Sequence, residues 1–204
     1  MKFKIAKPVI LASASPRRKE ILSLLDFPIT VIPSLVSEDI DVPTDDFAAY
    51  ARELASMKTS AVAKEHDNHI VIGADTIVVH EGKLYSKPNS KEQAKTFLQE
   101  LSGKTHTVIT GVGIFEGGIL RVFSVETAVT FRELDDVLID AYVDSGDSMD
   151  KAGGYGIQTA GALLVEKIDG DYYNVMGLPL AKLTEHLRRL ALIALKDGDP
   201  YIAY

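Results

Sequence analysis

The chain has no cysteine among its 204 residues. Disulfides, thiolate zinc sites and cysteine nucleophiles are therefore excluded. It also lacks an excess of positive charge, with a formal net charge of −7. A general nucleic-acid binder needs a basic face, so no nucleic-acid partner is expected. A phosphate ligand stays open, because a few clustered cations suffice locally. No apolar run approaches the length that spans a bilayer, and the first one after the N-terminal lysines is too short for a signal peptide. The expectations are a cytoplasmic location and no membrane partner. No internal repeat, low-complexity tract or Pro/Gly/Ser linker divides the chain. The five histidines show no metal-ligand spacing, and no Walker P-loop, zincin motif or nucleophile elbow is present.

What is present is an ordinary globular composition, 46% hydrophobic and 25% charged. That is enough chain for one large domain or two small lobes around a buried core. Strand and helix signals alternate, which indicates an α/β fold. A strand at 9–13 leads to a helix at about 16–25 and an extended segment at 29–36. A helix at about 46–66 carries an apolar stripe of Phe47, Tyr50, Ala51, Leu54, Ala61 and Val62. The β-branched run Ile70 to Val79 reads as a central strand. Ser90 and Gln93 form a capping-box pattern before a helix closed by Gly103. Thr105 to Phe115 and Leu120 to Phe131 read as a hairpin turning at Glu116-Gly117-Gly118. A short helix at about 134–144, a glycine-rich loop at 153–156 and a strand at about 162–168 follow. The last helix is read over 179–195, with Leu180, Leu183, Leu187, Leu190 and Ala194 on one face. Residues from Lys196 read as a frayed tail.

Several residues break their local pattern. Between the first strand and helix lie Ser13, Ser15, Pro16, Arg17 and Arg18. Ser15 is a good N-cap and Pro16 suits the first helical position. Arginines in a first helical turn oppose the macrodipole unless an anion meets them. A helix N-terminus with hydroxyls and guanidiniums is a phosphate site on physical grounds, the alternative being a capped surface helix with solvated arginines. Lys58 falls on the apolar stripe of its helix. It must either meet an anion or snorkel to solvent. Asp75 lies mid-run in a central strand, where a carboxylate needs a metal, a cation or several donors to stay ionised. Gly73-Ala74 before it leaves room for a ligand to approach the backbone. Lys87, before Pro88, reads by itself as a solvated loop lysine. Glu38 belongs to an acidic stretch that is mostly solvated surface. The run Lys151 to Gln158 is glycine-rich, and such loops can offer backbone N–H groups to an anion.

Six collinear blocks resemble the Maf family of nucleoside triphosphate pyrophosphatases. They begin at Leu11-Ala12-Ser13, Ile72-Gly73-Ala74-Asp75-Thr76, Ser86-Lys87-Pro88, Leu101-Ser102-Gly103, Asp150-Lys151-Ala152 and Gly170-Asp171-Tyr172, and cover about 9–190. The resemblance implies a single domain over 1–204 with a mixed twisted α/β sheet, flanking helices and two lobes around a central cleft, like inosine triphosphatase. It implies a divalent metal, magnesium or else manganese, and a homodimer. It implies cleavage between the α- and β-phosphates, which makes the protein a hydrolase acting on acid anhydrides. Asp75 would then be the proton acceptor that activates water, with Lys58, Lys87 and Glu38 also catalytic. Glu38 and Asp75 would hold the metal. Ser13, Arg17, Arg18, Thr76 and Gln158 would bind the nucleotide.

Within the family, Arg17, Thr76 and Gln158 match the branch acting on dTTP and UTP, and set base preference. The branch acting on 7-methyl-GTP carries a glutamate where Gln158 stands. A carboxamide offers a donor and an acceptor, which suits the O4 acceptor and N3–H donor of uracil or thymine. A carboxylate only accepts, which suits guanine N1–H and N2. The alternatives are a 7-methyl-GTP pyrophosphatase, or a nucleotide-binding regulator of cell division without turnover.

Overall fold

The computed structural model describes residues 3–37, 40–41 and 45–195. The central sheet has seven strands. These are β2 (Val9–Leu11), β3 (Ile29–Val31), β4 (Ile70–His80), β5 (Lys83–Tyr85), β6 (Thr105–Glu116), β7 (Ile119–Phe131) and β8 (Val165–Asp169). Their order is β3-β2-β4-β6-β7-β8, with β5 also paired to β4. The β2 strand runs parallel to β3 and β4, and the remaining pairs are antiparallel, so the sheet is mixed. A separate two-stranded ribbon joins β1 (Phe3–Ile5) to β9 (Ile193–Leu195).

Among the described residues, six α-helices flank the sheet. They are α1 (Pro16–Ser23), α2 (Phe47–Ala63), α3 (Lys91–Leu101), α4 (Asp136–Asp144), α5 (Tyr172–Met176) and α6 (Leu180–Arg189). Among the described residues, no helix is long and apolar enough to cross a membrane. Because side chains alternate along a strand, β4 serves two cores at once. Val71, Ile77 and Val79 pack toward α2 with Val62, Ala63, Ala51 and Leu54. Ile70, Ile72 and Ala74 pack with Leu11, Ile21, Leu22, Leu183 and Leu187 on the other face. Val78 joins a further cluster with Phe97, Leu98, Leu101, Ile139 and Tyr155 beneath α3 and α4.

The hairpin forms as its sequence implies. Glu116 pairs with Ile119 across the two-residue turn Gly117-Gly118, whose φ values of 58° and 81° suit the twist of the strands. Ser15, Asp46, Ser90 and Asp135 each accept a backbone N–H at a helix start.

The C-terminal region departs from expectation. The helix read over 179–195 ends at Arg189. Ala191 adopts a left-handed φ of 53°, and the Leu192 N–H donates to the Leu187 carbonyl at 2.9 Å. The chain reverses there into β9, so Ala194 lies on a strand instead of a helical face. Leu190, Ile193 and Leu195 still pack on the core that the helix stripe serves, which is why apolar spacing could not mark the change. The strand read at 162–168 begins as a 3₁₀ turn over Ala160–Leu164 and is extended only from Val165. The short strands β1 and β5 and the one-turn helix α5 carry too few residues for a periodic signal. The tail from Lys196 lies outside the described residues.

Candidate active site

The site begins with a break in the sheet. One edge of β4 pairs with β2 as far as Ile72 and with β5 from Val78 onward. Among the described residues, 73–77 have no strand partner on that edge. A cleft of about 340 Å³ opens at this gap. Its walls are the loop leaving β2, the first turn of α1, the glycine-rich segment and residues Val175–Gly177. Ligand sites at the carboxyl ends of strands, where connections diverge, are a general consequence of such sheets.

Asp75 projects from the middle of β4 toward α2 and is 8% exposed. Lys58 reaches it from α2, and the ammonium donates to Asp75 Oδ1 in a short ion pair. Glycine lets the helix come this close. Gly111 pairs with Asp75 and Gly113 with Gly73 across β4 and β6. A β-carbon at Gly111 would collide with the Ala51 carbonyl, and one at Gly73 or Gly113 with the Thr59 hydroxyl. The bare backbone of β6 therefore seats α2 at the depth where Lys58 meets Asp75. The cationic partner that a buried carboxylate requires is thus a lysine from the apolar stripe of the neighbouring helix.

Thr76 points to the opposite face of β4. The Arg18 guanidinium links three walls of the cleft there. Its Nε donates to the Gly177 carbonyl at 2.7 Å, Nη1 to Ser13 Oγ at 3.1 Å and Nη2 to Thr76 Oγ1 at 3.0 Å. Ser13 Oγ also accepts the Ser15 N–H at 3.2 Å. Both acceptor positions of the Ser13 hydroxyl are filled, which leaves its proton for a ligand oxygen. Arg17 turns to the other side of the mouth, where its Nη1 donates to Asp150 Oδ2 at 2.8 Å.

The glycine-rich segment is held by a compact polar network. The Lys151 ammonium donates to Asp147 Oδ1 at 3.0 Å and to Asp150 Oδ1 at 2.6 Å. Asp147 Oδ2 accepts from the Tyr142 hydroxyl at 2.7 Å and from Thr159 Oγ1 at 2.5 Å. Burial raises the Asp150 pKa, but bonds from Lys151 and Arg17 outweigh it and hold the carboxyl at about 2. Asp147 is lowered in the same way: burial opposes, and Thr159, Tyr142 and Lys151 prevail. Burial and the Asp147 bond push the Tyr142 phenol up. Next to Thr159, Gln158 lines the cleft, and among the described residues its buried Oε1 has no hydrogen-bond partner. An orphaned buried acceptor at a cleft wall suits a ligand N–H.

Of the residues read from sequence, Ser13, Arg17, Arg18, Lys58, Asp75, Thr76, Lys87 and Gln158 all line this one cleft. Lys87 is exposed at its edge. Glu38 lies outside the described residues. Asp150, Lys151 and Tyr155 also line the cleft and received no role from sequence, although all three lie in the block from Asp150 to Gln158. Five cationic side chains (Arg17, Arg18, Lys58, Lys87, Lys151) face two described carboxylates (Asp75, Asp150). A chain of net charge −7 thus gathers cations at one concavity, which attracts an anion. Among the described residues, no group of three or more His, Asp or Glu could hold a metal by itself.

The chain is 47% identical over 186 residues to a protein of Bacillus cereus (strain G9842) described as dTTP/UTP pyrophosphatase, covering 90% of this chain and 95% of that one. It is 48% identical over 180 residues to one of Shouchella clausii (strain KSM-K16) with the same description, covering 88% and 94%. The Staphylococcus aureus Ham1 protein matches 61% of this chain and 72% of its own at 19% identity, with a TM-score of 0.43. The model of the family described as Maf-like protein matches residues 8–190. With most of its length matched by that model, cleft residues included, the chain belongs to the Maf family.

Proposed function

We propose that the protein is a nucleoside triphosphate pyrophosphatase acting on dTTP and UTP, releasing the monophosphate and pyrophosphate. The observation that carries the reading is the cation-lined cleft with one nearly buried ion-paired carboxylate, Asp75, at its floor. Relatives at 47–48% identity described as dTTP/UTP pyrophosphatases support it. The base would be read by Gln158. Its orphaned Oε1 accepts N3–H, and its amide nitrogen donates to O4. Guanine presents a like acceptor–donor pair at O6 and N1–H, so the preference over 7-methyl-GTP rests on the relatives described as dTTP/UTP pyrophosphatases.

In this reading Asp75 takes a proton from the water that attacks the α,β-anhydride. The bond to the bridging oxygen breaks, and pyrophosphate leaves with that oxygen. Lys58, Arg17, Lys87 and the Ser13 hydroxyl neutralise and orient the triphosphate. Lys58 has a double part, since its ammonium pairs with the Asp75 carboxylate until phosphate oxygens compete for it. Magnesium fits these residues. Among the described residues only Lys58 bonds the Asp75 carboxylate, through Oδ1, so Oδ2 is open to a cation. Magnesium commonly uses one or two carboxylates plus substrate phosphates and waters. Asp75 and Glu38 would hold it, and it would supply charge neutralisation on the phosphates.

A panel of nucleoside triphosphates assayed for pyrophosphate with and without magnesium tests this. Release from dTTP and UTP with kcat/KM above that for GTP, ATP and 7-methyl-GTP is expected. Binding without pyrophosphate release would favour the regulator reading, and preference for 7-methyl-GTP would overturn the base assignment.

A further inference from the structure

Thr76 shares its hydroxyl with two buried partners, and counting protons fixes what it can still do. Thr110 on β6 is fully buried, and its Oγ1 lies 2.9 Å from Thr76 Oγ1. The same Thr110 oxygen is 3.0 Å from the backbone carbonyl of Asn174. A carbonyl cannot donate, so the one Thr110 proton must go there. The Thr76–Thr110 contact is then a hydrogen bond only if Thr76 donates. Arg18 Nη2, which can only donate, fills one Thr76 lone pair at 3.0 Å. The Thr76 hydroxyl is left with a single lone pair and no proton for the cleft that it lines.

We propose that Thr110 is a positioning residue for nucleotide recognition: with Arg18, it holds Thr76 as an acceptor only, so Thr76 selects nucleotides that bring a donor to it. The inference rests on reading the cleft as a nucleotide triphosphate site. The donor is a sugar hydroxyl, or the imide N3–H of the base where Thr76 receives it in place of Gln158, two sources with the same chemistry at Thr76. The acceptor end of the relay is itself rigid. The Asn174 side chain donates to the Val108 carbonyl at 3.1 Å and to Thr127 Oγ1 at 3.0 Å, which ties α5 to β6 and β7 beside Thr110. Nothing in the spacing of Thr76, Thr110 and Asn174 shows this relay, because it crosses two strands and a one-turn helix.

The experiment compares kcat/KM for dTTP, N3-methyl-dTTP and 2′,3′-dideoxythymidine triphosphate in the wild-type protein and in Thr110→Val and Thr110→Ser. In the wild type, the analogue lacking the donor that Thr76 accepts should lose about tenfold or more, the cost of a buried acceptor left unpaired. Thr110→Val releases the Thr76 proton to turn toward the ligand, so that penalty should shrink about fivefold or more. The change should sit in KM, because the contact is to a non-reacting part of the nucleotide. Thr110→Ser keeps the relay and should keep the penalty. A general loosening would instead lower turnover of all three nucleotides alike in both variants.

If Thr110→Val does not fold, Thr76→Val removes the acceptor outright and should lower the same penalty. Unchanged penalties for both analogues in either valine variant, or a serine variant that behaves like the valine one, overturn the proposal. No pyrophosphate from dTTP in the wild type would overturn the pyrophosphatase reading, and this inference with it. Turnover of dTTP with unaltered penalties in the variants would sink the inference alone.

Discussion

Lys58 on α2 and Asp75 on β4 form an ion pair in which each side chain is only 12% exposed. The pair joins a helix to a strand across a floor of glycines. It couples the chemistry of the cleft to the packing of the fold, and several outcomes follow from that coupling.

Asp75→Asn should keep the fold and lower turnover by about 10²–10⁴-fold, the usual loss for a general base. The amide is near-isosteric but takes no proton. Pyrophosphate release at saturating dTTP, alongside a thermal melt, checks both halves. Near wild-type turnover would remove Asp75 from the role of base.

Removing Lys58 should cost more than activity. Lys58→Met leaves a nearly buried carboxylate without its counter-ion, which typically destabilises by about 3–5 kcal/mol. The double variant Lys58→Met, Asp75→Asn should recover a large part of that loss, because no buried charge remains. Urea denaturation of the four species gives the coupling. Strict additivity would mean the ion pair does not act as a unit.

Gly111→Ala tests the seat of α2. The added methyl meets the Ala51 carbonyl, which is backbone and cannot rotate away. The helix must rise from the sheet, so stability should fall by about 1–3 kcal/mol. Turnover should also drop, because Lys58 moves with the helix. A variant that loses stability but keeps full kcat would show that helix depth does not position the lysine.

His106 should shape the acid limb of stability. It is 2% exposed, and its Nε2 lies 2.8 Å from the Tyr155 hydroxyl. Burial, with a smaller push from His80, lowers its pKa from 6.5 to about 3. Because the folded-state value is depressed, the unfolded chain takes up the proton first as pH falls. The neutral ring therefore contributes fully above pH 6.5, and its contribution declines as pH drops from 6.5 toward 3, by about 1.4 kcal/mol per pH unit. Unfolding free energies over that range should show a shallower slope for His106→Gln than for the wild type. Equal slopes would assign the acid sensitivity elsewhere.

Gln158→Glu should lower kcat/KM for dTTP and UTP about tenfold or more, since a donor to the base becomes an acceptor and a charge. A pyrimidine kcat/KM equal to wild type would remove Gln158 from base recognition.

Sequence alone determined the strand at 70–79, the helix caps, the glycine hairpin and the residues that violate their own pattern. Each is written within a few neighbouring residues: a hydroxyl before a helix, two glycines between strands, a carboxylate in a β-branched run. Lys58 and Asp75 each stood out because a charge in an apolar context is costly wherever the chain goes. That they answer one another was not legible, because it depends on how deeply α2 settles on Gly111 and Gly113, and that depth is a packing outcome. The same limit applies to the C-terminus, where Leu190 and Ile193 suit a helix or a strand equally. Only the left-handed turn at Ala191 and the edge offered by β1 decided for the strand. Most of all, tertiary structure decided the sense of the Thr76 hydroxyl. Its proton is directed by Thr110 and Asn174, 34 and 98 residues further along the chain, because a buried hydroxyl has one proton and must give it to whichever acceptor the fold brings near.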